Sequence, residues 1–178
     1  DIYRNLNDGE VNQDSAMGII ANRLARREYF VQLGANIMIT LGLIGTITGL
    51  IIAILAKDRK ICLEVKLIEK SPKKASFLRE IVNYLNLNVE VLNINALTYA
   101  KKLEADIIVA RAFKPLKIIL QLLDKNTENW KKVFLFLGKT GQDELLQASK
   151  SWNIKYKRRM SITSSDSIVI EINKLEKK

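Results

Sequence analysis

Two hydrophobic patterns divide the chain. From Tyr29 to Ala56 no charged side chain occurs, and the centre of that run, residues 36–56 (NIMITLGLIGTITGLIIAILA), has two readings. It could be a strand at 37–41, a glycine turn at 42–49 and a helix at 50–56, or one continuous apolar helix long enough to cross a bilayer. Upstream, residues 1–15 are polar and aperiodic, and 16–28 carry apolar positions at helical spacing. Beyond Lys60 the pattern changes to short alternating units. Strands are predicted at 64–69 (EVKLIE), 89–92, 106–110 (DIIVA) and 132–137 (KVFLFL). Helices are predicted from Ser71-Pro72 to Leu85, over 97–103, from Lys114-Pro115 to Leu123 and over 143–150, with a turn at 86–88. Residues 154–160 and 167–172 read as a final antiparallel pair of strands.

Strands alternating with helices predict an open, mostly parallel α/β sheet, which binds ligands at the carboxyl ends of its strands. A central strand is missing from the units after Lys60 unless residues 37–41 supply it. If they do, Glu69 closes the neighbouring strand about twenty residues after the glycine turn, where an acid can accept hydrogen bonds from both hydroxyls of a ribose. The division expected is an N-terminal polar segment and helix over 1–35, then one α/β domain over 36–178.

Charge sharpens the picture. The net charge is +10, yet residues 1–56 hold four basic and five acidic side chains, and the remaining 25 basic and 14 acidic ones fall in 57–178. So basic a domain suits a polyanionic partner such as RNA. With one cysteine, Cys62, and no histidine, disulfide frameworks, histidine-based catalysis and Cys/His zinc sites are excluded, and no metal is expected.

The segment VKLIEKSPKKASFLREIVNYLNLNVEVLNINALTYA and the later ADIIVARAFKPLKIIL resemble the RsmG (GidB) family of bacterial 16S rRNA guanine-N7 methyltransferases. The likeness rests on Glu69, Lys73-Lys74, Phe77-Leu78-Arg79 and Arg111-Ala112-Phe113, with Phe136-Leu137-Gly138-Lys139 following the family's later L-K-G region. It implies a Rossmann-like fold, S-adenosylmethionine as cofactor, and 16S rRNA or the small ribosomal subunit as partner, in the cytoplasm. By the same resemblance Gly42, Ile47, Glu69, Ala96, Leu97 and Arg111 fall on cofactor-contacting positions. Lys73, Lys74, Arg79, Lys139, Arg158 and Arg159 are the expected RNA contacts. The resemblance leaves the catalytic residue open. In place of the family's acidic residue and G-x-G-x-G-x-P-G loop, this chain has Thr40 and GLIGTITG, which implies an impaired cofactor loop.

A second resemblance covers residues 16–56, which are similar to the MotA/TolQ/ExbB proton-channel family with its LGLLGTVxG-type pore helix. It implies a small-residue packing face of Gly42, Gly45, Thr46, Thr48 and Gly49 and membrane association through residues 29–56. An inner-membrane channel component is therefore the alternative function, and an inactive RNA-binding remnant a third. On this reading two unrelated pieces join near 49–56.

Overall fold

The computed structural model describes residues 37–41, 43–160 and 167–178. The helix expected at 16–28 lies outside them. Seven strands form one sheet in the order β3-β2-β1-β5-β7-β9-β8. In chain order they are β1 (Ile37–Leu41), β2 (Glu64–Ile68), β3 (Val89–Leu92), β5 (Ile107–Arg111), β7 (Lys132–Leu137), β8 (Trp152–Met160) and β9 (Ile168–Lys177). Two-residue strands β4 (Leu103–Glu104) and β6 (Thr127–Glu128) pair separately. The helices are α1 (Leu43–Asp58), α2 (Pro72–Tyr84), α3 (Leu116–Asn126) and α4 (Gly141–Ala148).

β1 supplies the missing central strand. It pairs in parallel with β2 on one side, Ile39 opposite Lys66, and with β5 on the other, Ile39 opposite Ile108. Period-two alternation sorts the core into two layers. Met38, Val65, Leu67, Ile107, Val109 and Phe134 point into the layer beneath α1 and α2. Ile39, Leu41, Ile68, Ile108, Ala110, Val133 and Leu135 point into the layer that holds α3 and α4. With both faces covered, parallel strands need apolar side chains at every position, which is why IMITL and DIIVA read as continuous runs.

These pairings overturn the membrane-spanning reading of residues 29–56. Ile37–Leu41 is hydrogen-bonded strand, so it cannot continue α1 into one helix, and 29–36 lie outside the described residues. At 16 residues, α1 is about 24 Å long, short of a bilayer's apolar core. Among the described residues no helix is long and apolar enough to cross a membrane. Nor is the apolar segment an appendage before the sheet. The turn expected over 42–49 is also corrected, since helix begins at Leu43. This helix lacks a polar face because Gly45, Thr46, Thr48, Gly49 and Leu50 are buried against the sheet, leaving Ile47 and Ile54 on its outer side.

The helix expected over 97–103 is a turn leading into β4. Asn95 explains it: its Oδ1 accepts from the Leu97 amide at 3.2 Å and its carbonyl from the Thr98 amide. An asparagine that bonds its own following backbone favours a turn over a helix. α2 keeps its predicted bounds to within one residue at Pro72–Tyr84, while α3 runs on to Asn126 and α4 starts at Gly141. The closing antiparallel pair is present, and β9 extends to Lys177.

α1 lies close on the sheet because position 49 has no side chain. A Cβ there would stand 2.6 Å from Leu67 Cδ2 and 2.7 Å from Thr40 Oγ1, both buried. Gly49→Ala is therefore expected to destabilise the fold by about 1–3 kcal/mol, as overpacking does. Gly138→Ala, whose added carbon meets nothing within 4 Å, should stay within about 0.5 kcal/mol of the parent. Urea denaturation of the two variants checks the contrast.

Candidate functional site

The chain order reverses between β1 and β5: it runs outward through β2 and β3, then crosses back to β5 and β7. A crevice opens at such a switch point, at the carboxyl ends of the strands. There the structure has a cleft of about 240 Å³ lined by the segments after β2, β3 and β5. From β2 come Ile68, Glu69 and Lys70; from the turn after β3, Ile94, Asn95, Ala96 and Leu97; from the β5 loop, Ala112, Phe113 and Lys114. Lys74 reaches it from the first turn of α2.

Glu69 is fixed on three sides. Its Oε1 accepts from the Ser71 amide at 2.8 Å, which satisfies a backbone donor just before α2. Its own amide donates to the Leu92 carbonyl, and its carbonyl accepts from Asn93 Nδ2 at 2.8 Å. Ile68, Ile94, Ala96, Leu97 and Phe113 give the same cleft an apolar lining. An acceptor for vicinal hydroxyls beside apolar side chains is the combination a nucleoside needs.

Of the six expected cofactor contacts, Glu69, Ala96 and Leu97 come together in the cleft. Arg111 and Ile47 are not among its lining residues. Arg111, at the end of β5, points to the α1 layer with its guanidinium 5.6 Å from the centre of the Phe136 ring, a cation–π contact. Burial pushes its pKa below the ordinary arginine value. Ile47 is on α1, 45% exposed. Gly42 lies outside the described residues.

Five of the six expected RNA contacts lie toward the carboxyl edge of the sheet. Lys73 and Lys74 are exposed in the first turn of α2, next to the cleft. Lys139 is exposed just after β7. Leu137, the last residue of β7, pairs with Ile168, which pairs with Met160 at the end of β8. Arg158 and Arg159 therefore stand at the carboxyl edge that carries the cleft, three strand spacings from β5, about 14 Å. Arg79 differs: its guanidinium donates to the Val91 carbonyl at 3.1 Å and braces edge strand β3.

Sequence reasoning missed Asn93, Asn95, Phe113 and Lys114. The asparagines could have been found as turn-formers spaced N-x-N after an apolar strand, and Phe113 as the third residue of the R-A-F tripeptide. Replacing Asn93 by Ala removes the bond to the Glu69 carbonyl and is expected to lower stability by about 1 kcal/mol, read from the urea midpoint.

Comparison with known proteins agrees with this geometry. A family model described as GidB, rRNA small subunit methyltransferase G, matches residues 29–170. A ribosomal RNA small subunit methyltransferase G from Pelagibacter ubique is 42% identical over 149 residues, which span 84% of this chain and 70% of that protein. One from Paracoccus denitrificans is 26% identical over 160 residues, 88% of this chain and 81% of that protein. The crystal structure of the 23S rRNA methyltransferase ErmE shares the fold, with a TM-score of 0.58 at 14% identity over 92% of this chain and 68% of that one. The family match begins at residue 29 and so takes in 29–56 of the 16–56 stretch likened to the proton-channel family. That likeness has no support, and the join expected near 49–56 gives way to a single match within which Ile37–Leu41 is β1 and Leu43–Asp58 is α1.

Proposed function

The chain belongs to the GidB family, rRNA small subunit methyltransferase G, and from that premise we propose that it methylates N7 of a guanine in 16S rRNA with S-adenosylmethionine as donor. The observation that carries this reading is the cleft at the switch point, which Glu69 lines together with apolar Ala96, Leu97 and Phe113. Those residues fit the adenosine part of the cofactor: Glu69 to accept from the ribose hydroxyls, the apolar side chains to take the adenine. In this reading residues 36–178 are the methyltransferase unit and 1–35 precede it. An rRNA substrate places its work in the cytoplasm.

Bound S-adenosylmethionine supplies an electrophilic methyl group on a sulfonium sulfur. The chain's own task is then chiefly positional. Guanine N7 presents a ring lone pair and no hydrogen, so the reaction needs no strong general base, in keeping with a chain that has no histidine. Rate enhancement would come from holding N7 and the methyl carbon in line. In this reading Arg111, over the Phe136 ring, would contact cofactor or substrate, and Ile47 and Gly42 would complete the proposed cofactor contacts.

The RNA would cross the carboxyl edge from the cleft toward β8. Lys73 and Lys74 flank one side of the cleft, and Lys139, Arg158 and Arg159 continue on the other. Such contacts neutralise phosphates and make affinity fall with salt. Arg79, engaged with β3, contributes through its positive potential.

Titration calorimetry with S-adenosylmethionine should give a dissociation constant in the micromolar range, about −8 kcal/mol. Glu69→Ala should weaken it at least tenfold, matching about 1.5–3 kcal/mol for bonds to a charged acceptor. No heat from the parent protein at millimolar cofactor would sink the reading.

The double variant Arg158→Glu, Arg159→Glu should bind 16S rRNA fragments more weakly, with a salt slope smaller by about two. Its cofactor affinity should be unchanged. An unaltered salt slope would remove these two arginines from the RNA path.

A further inference from the structure

The loop between β5 and α3 forms one wall of the cleft through Ala112, Phe113 and Lys114. Ala112 has φ +48°, a left-handed conformation that a residue with a Cβ adopts at a cost of about 1–2 kcal/mol. Conformations of that kind persist where their surroundings over-determine them. At its start the loop is held by Arg111 over the Phe136 ring.

At its far end the hold comes from another helix. α3 begins after Pro115, which occupies the N-cap position and makes no side-chain cap. The Leu116 amide therefore has no acceptor within its own helix. Glu144 of α4 supplies one: its Oε2 accepts from Leu116 N at 2.6 Å. Its Oε1 accepts from Thr140 Oγ1 at 2.7 Å, just before α4. The carboxylate also places a negative charge at the start of α3, whose first turn has no acid, and so opposes the partial positive charge of that helix end.

We propose that Glu144 is a positioning residue for the cofactor: from α4 it caps α3 and so holds the Ala112–Phe113–Lys114 wall of the cleft in its binding conformation. Through Thr140 the same carboxylate ties that wall to the β7–α4 turn carrying Lys139, so one side chain sets the spacing between the cofactor cleft and a proposed RNA contact. The inference rests on the cleft being the cofactor site. Glu144 itself does not line the cleft, and it acts through backbone.

Calorimetry with S-adenosylhomocysteine, paired with amide hydrogen exchange of the ligand-free protein at Leu116, tests this. Glu144→Ala should weaken binding about tenfold and speed exchange at Leu116. Glu144→Gln, which keeps an acceptor oxygen for that amide, should recover to within about threefold of the parent. Asp143→Ala removes the neighbouring exposed carboxylate and should leave affinity unchanged. The proposal is overturned if Glu144→Ala binds within twofold of the parent, if Gln does no better than Ala, or if Asp143→Ala weakens binding equally. Should Glu144→Ala fail to fold, Thr140→Val decides: about threefold weaker binding in a folded protein supports the clamp, and unchanged affinity overturns it. A parent protein that binds no S-adenosylhomocysteine would instead defeat the assignment of the cleft, while exchange at Leu116 still reports on the cap.

Discussion

The structure depends on β1 being hydrogen-bonded on both edges while buried on both faces. Met38, Ile39 and Leu41 are almost completely excluded from solvent, and each such side chain stabilises the fold by about 1.5–3 kcal/mol relative to exposure. Without β1, β2 and β5 would face each other across a gap with bare edges, and the two core layers would lose their common floor. The switch point exists because β1 has β2 on one side and β5 on the other. The ligand cleft is thus a consequence of strand order.

Burial on both faces also accounts for the composition of the stretch that follows. A helix laid directly on the centre of a sheet must lack bulk where the two backbones approach. In α1 this falls to Gly49, where a Cβ would stand 2.6 Å from Leu67 Cδ2, with Gly45, Thr46 and Thr48 buried on the same helix. Small residues at four-residue spacing are equally what a membrane helix uses to pack. The resemblance to a channel helix has that physical basis: both environments exclude water and ask for close helix contact.

The cleft shows how a fold with a single central strand distributes control of one site. Glu69 is held by backbone from β3 and by the start of α2, the apolar floor by a turn built on Asn95, and the β5 loop by Phe136 and Glu144. Ser71 and Asn95 act within two residues of the groups they hold, whereas Leu92 and Asn93 reach Glu69, and Phe136 and Glu144 reach the β5 loop, from far along the chain. A loop with a left-handed alanine and a proline at its end could not keep one shape by local preference alone. Its shape is set by the packing of α3 against α4, which brings a carboxylate 28 residues away to within hydrogen-bond distance of Leu116.

Much of this was legible from the residues alone. Period-two and period-3.6 patterns after Lys60 give most strands and helices, because burial on a sheet face or along a helix stripe imposes those periods on any sequence. The need for a strand between EVKLIE and DIIVA followed from the same alternation, and the acid at Glu69 from its place at a strand end. What could not be read was local competition and distant contact. Residues 97–103 have a helix-like pattern, yet Asn95 bonds the following backbone into a turn. Residues 43–49 have glycines enough for a loop, yet packing of α1 against β1, β2 and β5 makes them helix. Composition offers the same apolar residues to a membrane, a helix or a strand; only pairing with neighbours far along the chain decides among them, because hydrogen bonds between strands are made in three dimensions and leave no mark at a single position.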